Sequence, residues 1–278
     1  MDIHDLGPCI PEITFESFKT ALLPHVEESK LLEVFDALKS DGELSNEGAQ
    51  AEARQADTPA VHTVQEKQST RATEDSLFEP LARKFNKILQ HITNAAGKSS
   101  LITFSSTPTK PLKSEGTHGG YMADINALLS ETTAVGPDAG KEQSECDIMM
   151  TGEFEREARD EGRDKNVSKL IGNINHLIGS DPTRRFMYGL TIEHTDTRFW
   201  FFSRSHVFVT EKLDLQTNVK DVVYFVMALG SASSKATLGF DPTVRRVSYG
   251  PKQTPRYRFK INGAEYQVIE VISNYKGT

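Results

Sequence analysis

Phe18, Leu22, Val26, Leu31, Val34, Phe35 and Leu38 recur at spacings of three, four and five residues, which predicts helix over 15–38. Pro24 divides that stretch into two short helices. From Ser40 to Thr73 the apolar pattern stops: Leu44, Val61 and Val64 are the only aliphatic anchors among Glu, Gln, Ala, Ser and Thr. Such a segment cannot bury enough apolar surface to offset its ordering entropy, so it reads as a disordered linker. Periodicity resumes with Leu77, Phe78, Leu81, Phe85, Ile88, Leu89 and Ile92 on one face of a helix opened by Asp75 or Ser76 and closed by Gly97. A short strand over 101–104 follows. Pro108, Pro111 and Gly119-Gly120 mark an irregular connection, 121–129 reads equally as strand or helix, and 131–144 is polar loop.

Ile148, Met149, Met150 and Phe154 then predict a strand running into a charged loop, Arg156 to Lys165. Val167, Leu170, Ile171, Ile174, Leu177 and Ile178 share one helical face up to Asp181-Pro182. Strands over 185–193 and 197–203 form a hairpin through His194-Thr195-Asp196, and 207–210 adds a third strand. The nearly continuous apolar run from Val219 to Leu229 is too short to span a bilayer and reads as a buried helix. Three β-like runs close the sequence, 244–249, 257–261 and 266–272, the last two joined by the hairpin signal Asn262-Gly263. The fold class that results is α+β, a mixed β-sheet flanked by helices, with N-terminal helices and a linker.

Composition narrows the function classes. With 37% apolar and 26% charged residues the chain reads as a globular intracellular protein, cytoplasmic or nuclear, with no membrane association and no signal peptide. Cys9 and Cys146 are far apart and have no zinc-ligand spacing, and the eight histidines form no metal motif. A net charge of −7 disfavours nucleic acid as a partner.

Two constellations are candidates for chemistry. Asp124, in Met122-Ala-Asp-Ile125, precedes a strand carrying Glu153-Phe-Glu155, a spacing similar to a degenerate PD-(D/E)xK nuclease pattern. Such a site needs carboxylates for a divalent metal and a lysine for the attacking water. Here Ala123 stands in place of proline and Glu155 in place of lysine, so the plainer reading is surface carboxylates at a strand end. The second constellation is Arg184, Arg185, Arg198 and Arg204 around the hairpin, a set able to bind an anion or a partner bidentately, or to pair with Asp181, Glu193 and Asp196 in a structural network. The aromatic run Phe199-Trp200-Phe201-Phe202 sends two rings to each face of a strand, as a central strand covered on both sides requires.

Asn166-Val-Ser-Lys-Leu-Ile171, Asp181-Pro-Thr-Arg-Arg-Phe186, Gly189-Leu-Thr-Ile-Glu193, Arg198-Phe-Trp200, Ser203-Arg-Ser205 and Leu238-Gly-Phe-Asp-Pro-Thr243 occur in this order. Together they resemble the fungal-type protein kinases of mushroom-forming fungi, whose kinase lobe follows a long N-terminal region. Periodicity and composition thus divide the chain into an N-terminal helical segment at 1–39, a disordered linker at 40–73 and an α+β domain at 74–243; the resemblance implies that this domain is an accessory one and that 244–278 holds the first kinase-lobe strands. The carboxylate pattern adds a degenerate restriction-endonuclease-like fold as one form the accessory domain could take. No V-A-I-K lysine, H-R-D base or D-F-G aspartate occurs in the 278 residues, and the sequence reaches Thr278 before a complete Gly-rich loop. The expected role is therefore a non-catalytic accessory region, with the kinase lobe in cis, a protein partner or a second copy as its ligand. No cofactor is expected for these residues; ATP and Mg²⁺ are implied for a longer kinase. A fragment of an active Ser/Thr kinase and a nuclease-like nucleic-acid-binding module stand as the alternatives.

Overall fold

A computed structural model of the chain describes residues 10–43, 80–94, 97, 99–106, 123–130, 145–248 and 256–268. Of the linker expected over 40–73, Ser40 is the last residue of a helix, 41–43 form a turn, and the part from 44 onward lies outside the described residues, as do the start of the helix expected near 75, the 107–122 connection, the 131–144 loop and the last strand beyond 268.

The N-terminal pattern forms a two-residue strand β1 (Glu12–Ile13) and helices α1 (Phe15–Leu22) and α2 (Glu28–Ser40), broken around Pro24 as the sequence predicts. The Thr14 hydroxyl caps α1 by accepting from the Ser17 amide at 3.2 Å. Helix α3 covers 80–94. Strands β2 (Ile102–Ser105), β3 (Ile125–Leu129) and β4 (Ile148–Glu155) follow, which settles 125–129 as strand. Helix α4 (Asp160–Ser180) leads to β5 (Phe186–Glu193), β6 (Asp196–Ser203), β7 (Val207–Thr210), β8 (Leu213–Asp214) and α5 (Val219–Gly230). A separate three-stranded sheet contains β9 (Val244–Ser248), β10 (Arg256–Ile261) and β11 (Ala264–Gln267), with the Asn262-Gly263 turn where the sequence predicts it.

The start of α4 departs from expectation. The charged stretch expected to be loop to Lys165 is helical from Asp160. Its first turns are solvated on most sides, so they carry no apolar period. Asp160 and Glu161 at the N-terminus favour helix through the backbone dipole, and Arg163 reaches Asp160 at 3.4 Å.

The main sheet runs β1-β7-β6-β5-β4-β3-β2, with β8 also paired to β6. β4 and β5 are parallel, joined by the α4 crossover, and β1 is parallel to β7; the remaining neighbours are antiparallel. One apolar core lies between the sheet and α1, α2, α3 and α5, and a second between the sheet and α4. β6 serves both: Phe199 stacks on Phe225 of α5 at 4.1 Å, while Trp200 and Phe202 pack in the α4 core. The aromatic run thus lies in a strand covered on both faces.

The corner after α4 is fixed by two Asp-Pro-Thr turns. Asp181 Oδ1 accepts from the Thr183 amide at 3.0 Å and hydroxyl at 2.7 Å, and Asp241 Oδ1 does the same for Thr243 at 2.8 and 2.6 Å. The turns are tied together by Asp241 N donating to Thr183 O at 2.7 Å and Arg185 N donating to Gly239 O at 2.8 Å.

Candidate functional site

The α4-facing side of β4 and β5 changes character along its length. Toward one end Ile148 of β4 and Met187 of β5 join Ile174, Leu177 and Ile178 of α4 in an apolar core. Toward the carboxyl ends of the parallel strands the same side presents polar residues, because Thr151, Glu153 and Glu155 of β4 stand in register with Gly189, Thr191 and Glu193 of β5.

Glu153 is the centre of this group. It is 2% exposed, so it is not a surface carboxylate at a strand end. Asn173 Nδ2 donates to its Oε1 at 2.8 Å, and Lys169 Nζ lies 3.5 Å from Oε2. Asp124 immediately precedes Ile125, whose partner in the sheet is Gly152, and its Oδ2 accepts from the Phe154 amide at 2.7 Å. Burial pushes the Glu153 carboxyl up to about 8, the like charge of Asp124 adds to the rise, and Lys169 and Asn173 only partly oppose it. The ion pair with Lys169 therefore does not make Glu153 an ordinary carboxylate: loss of water outweighs one half-solvated ammonium.

Glu155 occupies the next outward position. Lys165 Nζ stands 3.4 Å from its Oε2, and the Glu155 main-chain carbonyl accepts from His194 N at 2.9 Å. Glu193, beside Glu155 in the sheet, is buried and accepts from Asn166 Nδ2 at 3.1 Å; burial raises its carboxyl. Asn166 is wholly buried, and its Oδ1 has no hydrogen-bond partner.

The structure thus brings Asp124 and Glu153 together, with Glu155 adjoining, and supplies from α4 the lysines that the strand lacks. Sequence reasoning missed Lys165, Lys169, Asn166 and Asn173. Their signal was the spacing 166, 169 and 173, one face of a helix directly after the carboxylate strand. Among the described residues no group of three or more His, Cys, Asp and Glu side chains is arranged to hold a metal ion.

The four arginines do not converge on one site. Arg184 is buried, pairs with Asp181 Oδ2 at 3.3 Å, donates to the Cys146 carbonyl and lies 4.1 Å over the Phe240 ring. Arg204 donates to the carbonyls of Arg184 and Asp181 at 3.1 and 3.2 Å. Arg185 reaches the Ala236 carbonyl at 2.9 Å, whereas Arg198 turns to the sheet edge, to Glu12 at 2.5 Å and the Thr210 carbonyl at 3.0 Å. Of the histidines, His176 stands 3.4 Å from Glu145, and His206 lies against Ser205 and Phe208.

No helix among the described residues is long and apolar enough to cross a membrane. No curated protein and no solved structure matches the chain. The sequence profile described as fungal protein kinase matches residues 124–276, more than half of the 278-residue chain. That span begins at Asp124 and takes in the carboxylate strand, α4, both Asp-Pro-Thr turns and the small sheet. The chain belongs to the fungal protein kinase family.

Proposed function

We propose that this chain is the non-catalytic accessory region of a fungal-type protein kinase, acting by binding and positioning within the cell, with the kinase lobe in cis as its ligand. One observation carries this reading. The phrases that mark the family serve architecture: Asp181 to Phe186 and Leu238 to Thr243 hold each other through the Arg184–Phe240 bridge and the main-chain bonds between their turns. Phosphoryl transfer needs a lysine on the nucleotide phosphates, a base and magnesium ligands, and the V-A-I-K, H-R-D and D-F-G motifs that supply them do not occur in these residues. The small sheet supports a role against a following lobe. Tyr257 is buried in it, while Ile261 and Tyr266 are 53% and 56% exposed.

The test is transfer of labelled phosphate from ATP by the purified 278-residue chain. Turnover at the buffer background is expected; transfer above it overturns the reading. The alternative, that these residues are part of an active Ser/Thr kinase, is tested by sequencing the native transcript past the Thr278 codon. An in-frame Gly-rich loop, strand lysine, H-R-D and D-F-G would establish it.

A further inference from the structure

Three carboxylates stand directly opposite one another across neighbouring strands: Glu155 of β4 pairs with Glu193 of β5, and Glu193 with Asp196 of β6. We propose that the middle one is a neutral carboxylic acid in the folded chain, joined to Asn166 by two hydrogen bonds, and that loss of its proton loosens the start of α4 from the sheet. The inference is independent of the accessory reading, since it concerns a proton held within the domain and not what the domain binds.

Like charges directly opposite in a sheet repel, so such a row calls for cations or protons. The outer members have cations. Lys165 Nζ lies 3.4 Å from Glu155 Oε2 and Lys212 Nζ 3.2 Å from Asp196 Oδ2. Asp214 of β8, beyond Asp196, accepts from the amides of Gln216 and Thr217 at 2.9 and 2.8 Å. Glu193 is the buried member of the row, and the two arginines whose charge reaches it are engaged elsewhere. Arg198 turns to Glu12 and the Thr210 carbonyl, and Arg163 to Asp160. His194, next in the turn, is exposed.

The partner Glu193 does have is an amide. Asn166 Nδ2 donates to its Oε1 at 3.1 Å, while Asn166 Oδ1, on a wholly buried side chain, has no partner. An ionised carboxylate only accepts, so it offers that oxygen nothing. A carboxylic acid and a primary amide are matched planar forks: N–H to carbonyl on one arm, O–H to amide oxygen on the other. One proton on Glu193 thus removes the middle charge of the row and satisfies the buried acceptor. Burial acts in the same direction.

The loss of that proton has a defined place to act. From Asp160 to Lys165 the side chains of α4 are exposed except at Gly162, and Asn166 is the first buried residue of the helix. With Glu193 ionised, the acid–amide pair keeps one of its two bonds, and the turns before Asn166 have no apolar face to hold them down.

The rival account is an ionised Glu193 held by the field of Arg198 and Arg163. Carboxyl-carbon NMR of the full chain, isotope-labelled on glutamate and titrated from acid to alkaline pH, separates the two. A buried carboxyl other than that of Glu153 should stay protonated above the range in which exposed glutamates ionise. Its signal should be absent from Glu193→Gln and present in Glu153→Gln. Glu193→Gln also replaces the O–H with an N–H donor to Asn166 and so mimics the acid. Hydrogen exchange of amides 164–168 should match the parent's at acidic pH and be severalfold slower than the parent's once the carboxyl ionises. Glu193→Leu, which offers Asn166 no donor, should lose this protection at every pH. A Glu193 signal that titrates with the exposed glutamates, or faster exchange in Glu193→Gln than in the parent at neutral pH, overturns the neutral acid. Exchange in Glu193→Gln that follows the parent's at every pH overturns the loosening of α4.

Discussion

The Tyr188 hydroxyl on β5 donates to the Leu22 carbonyl at the end of α1 at 2.6 Å, across 166 positions of sequence. A second bond runs the other way, from the Val26 amide to the Tyr224 hydroxyl of α5 at 3.2 Å. Together they fasten the break between the two N-terminal helices, where main-chain groups have no helical partner. Tyr188→Phe keeps the ring packed against Phe186, Phe201 and Phe225 but removes the donor. A loss of about 1 kcal/mol in urea unfolding is expected, with an unchanged denaturant slope.

Gly239 has φ of +97°, and a Cβ there would come within 2.2 Å of the Phe186 carbonyl oxygen. The obstacle is main chain, so it cannot turn aside. Gly239→Ala should destabilise by about 3 kcal/mol or more, read as a lowered Tm, while Gly263→Ala, at φ +83° with open space around it, should cost less.

Glu153 gives stability a defined pH dependence. Its folded pKa of about 8 lies above the ordinary 4.5, so between these values the folded chain holds a proton that the unfolded chain has lost. Stability from this group is therefore highest at low pH and falls as pH rises through the window, by about 1.4 kcal/mol per pH unit. Glu153→Gln removes the slope. The stability of the variant relative to the parent should grow with pH up to about 8 and then level off. A difference that stays constant across this range, by denaturant titration, would count against the assignment.

His176 contributes in a separate place. Its hydrogen bond to Glu145 raises the imidazole above its usual 6.5 despite partial burial. The pairing is fully present below the unfolded value and is lost as pH rises through the folded one. His176→Gln should lower the urea midpoint at acidic pH, where the imidazole is charged, and the effect should shrink as pH rises and the imidazole loses its proton.

Much of the fold was legible because local chemistry and tertiary role agree. The β5–β6 hairpin and the Asn262-Gly263 turn announce themselves through alternation and turn residues, and α5 through an apolar run. The candidate site was half legible. Asp124 and Glu153 were visible as a pattern, but the lysine was sought on the strand, and a strand-based motif carries no sign that a helix can supply the same charge. Arg184 shows the reverse difficulty. It stands beside Arg185 in sequence, yet one is a fully buried clamp on Asp181 and Phe240 and the other is exposed, a difference decided by which face of the corner meets Phe240. β1 was not legible at all, since two residues carry no period.

That two-residue strand closes one side of the sheet. Glu12 and Ile13 lie along β7, where Val209 N donates to the Pro11 carbonyl and Glu211 N to the Ile13 carbonyl. The segment thus works as a stopper: a β7 edge bared by its removal would present unpaired main-chain groups to another molecule, and residues 11–13 are the chain's own guard against that association.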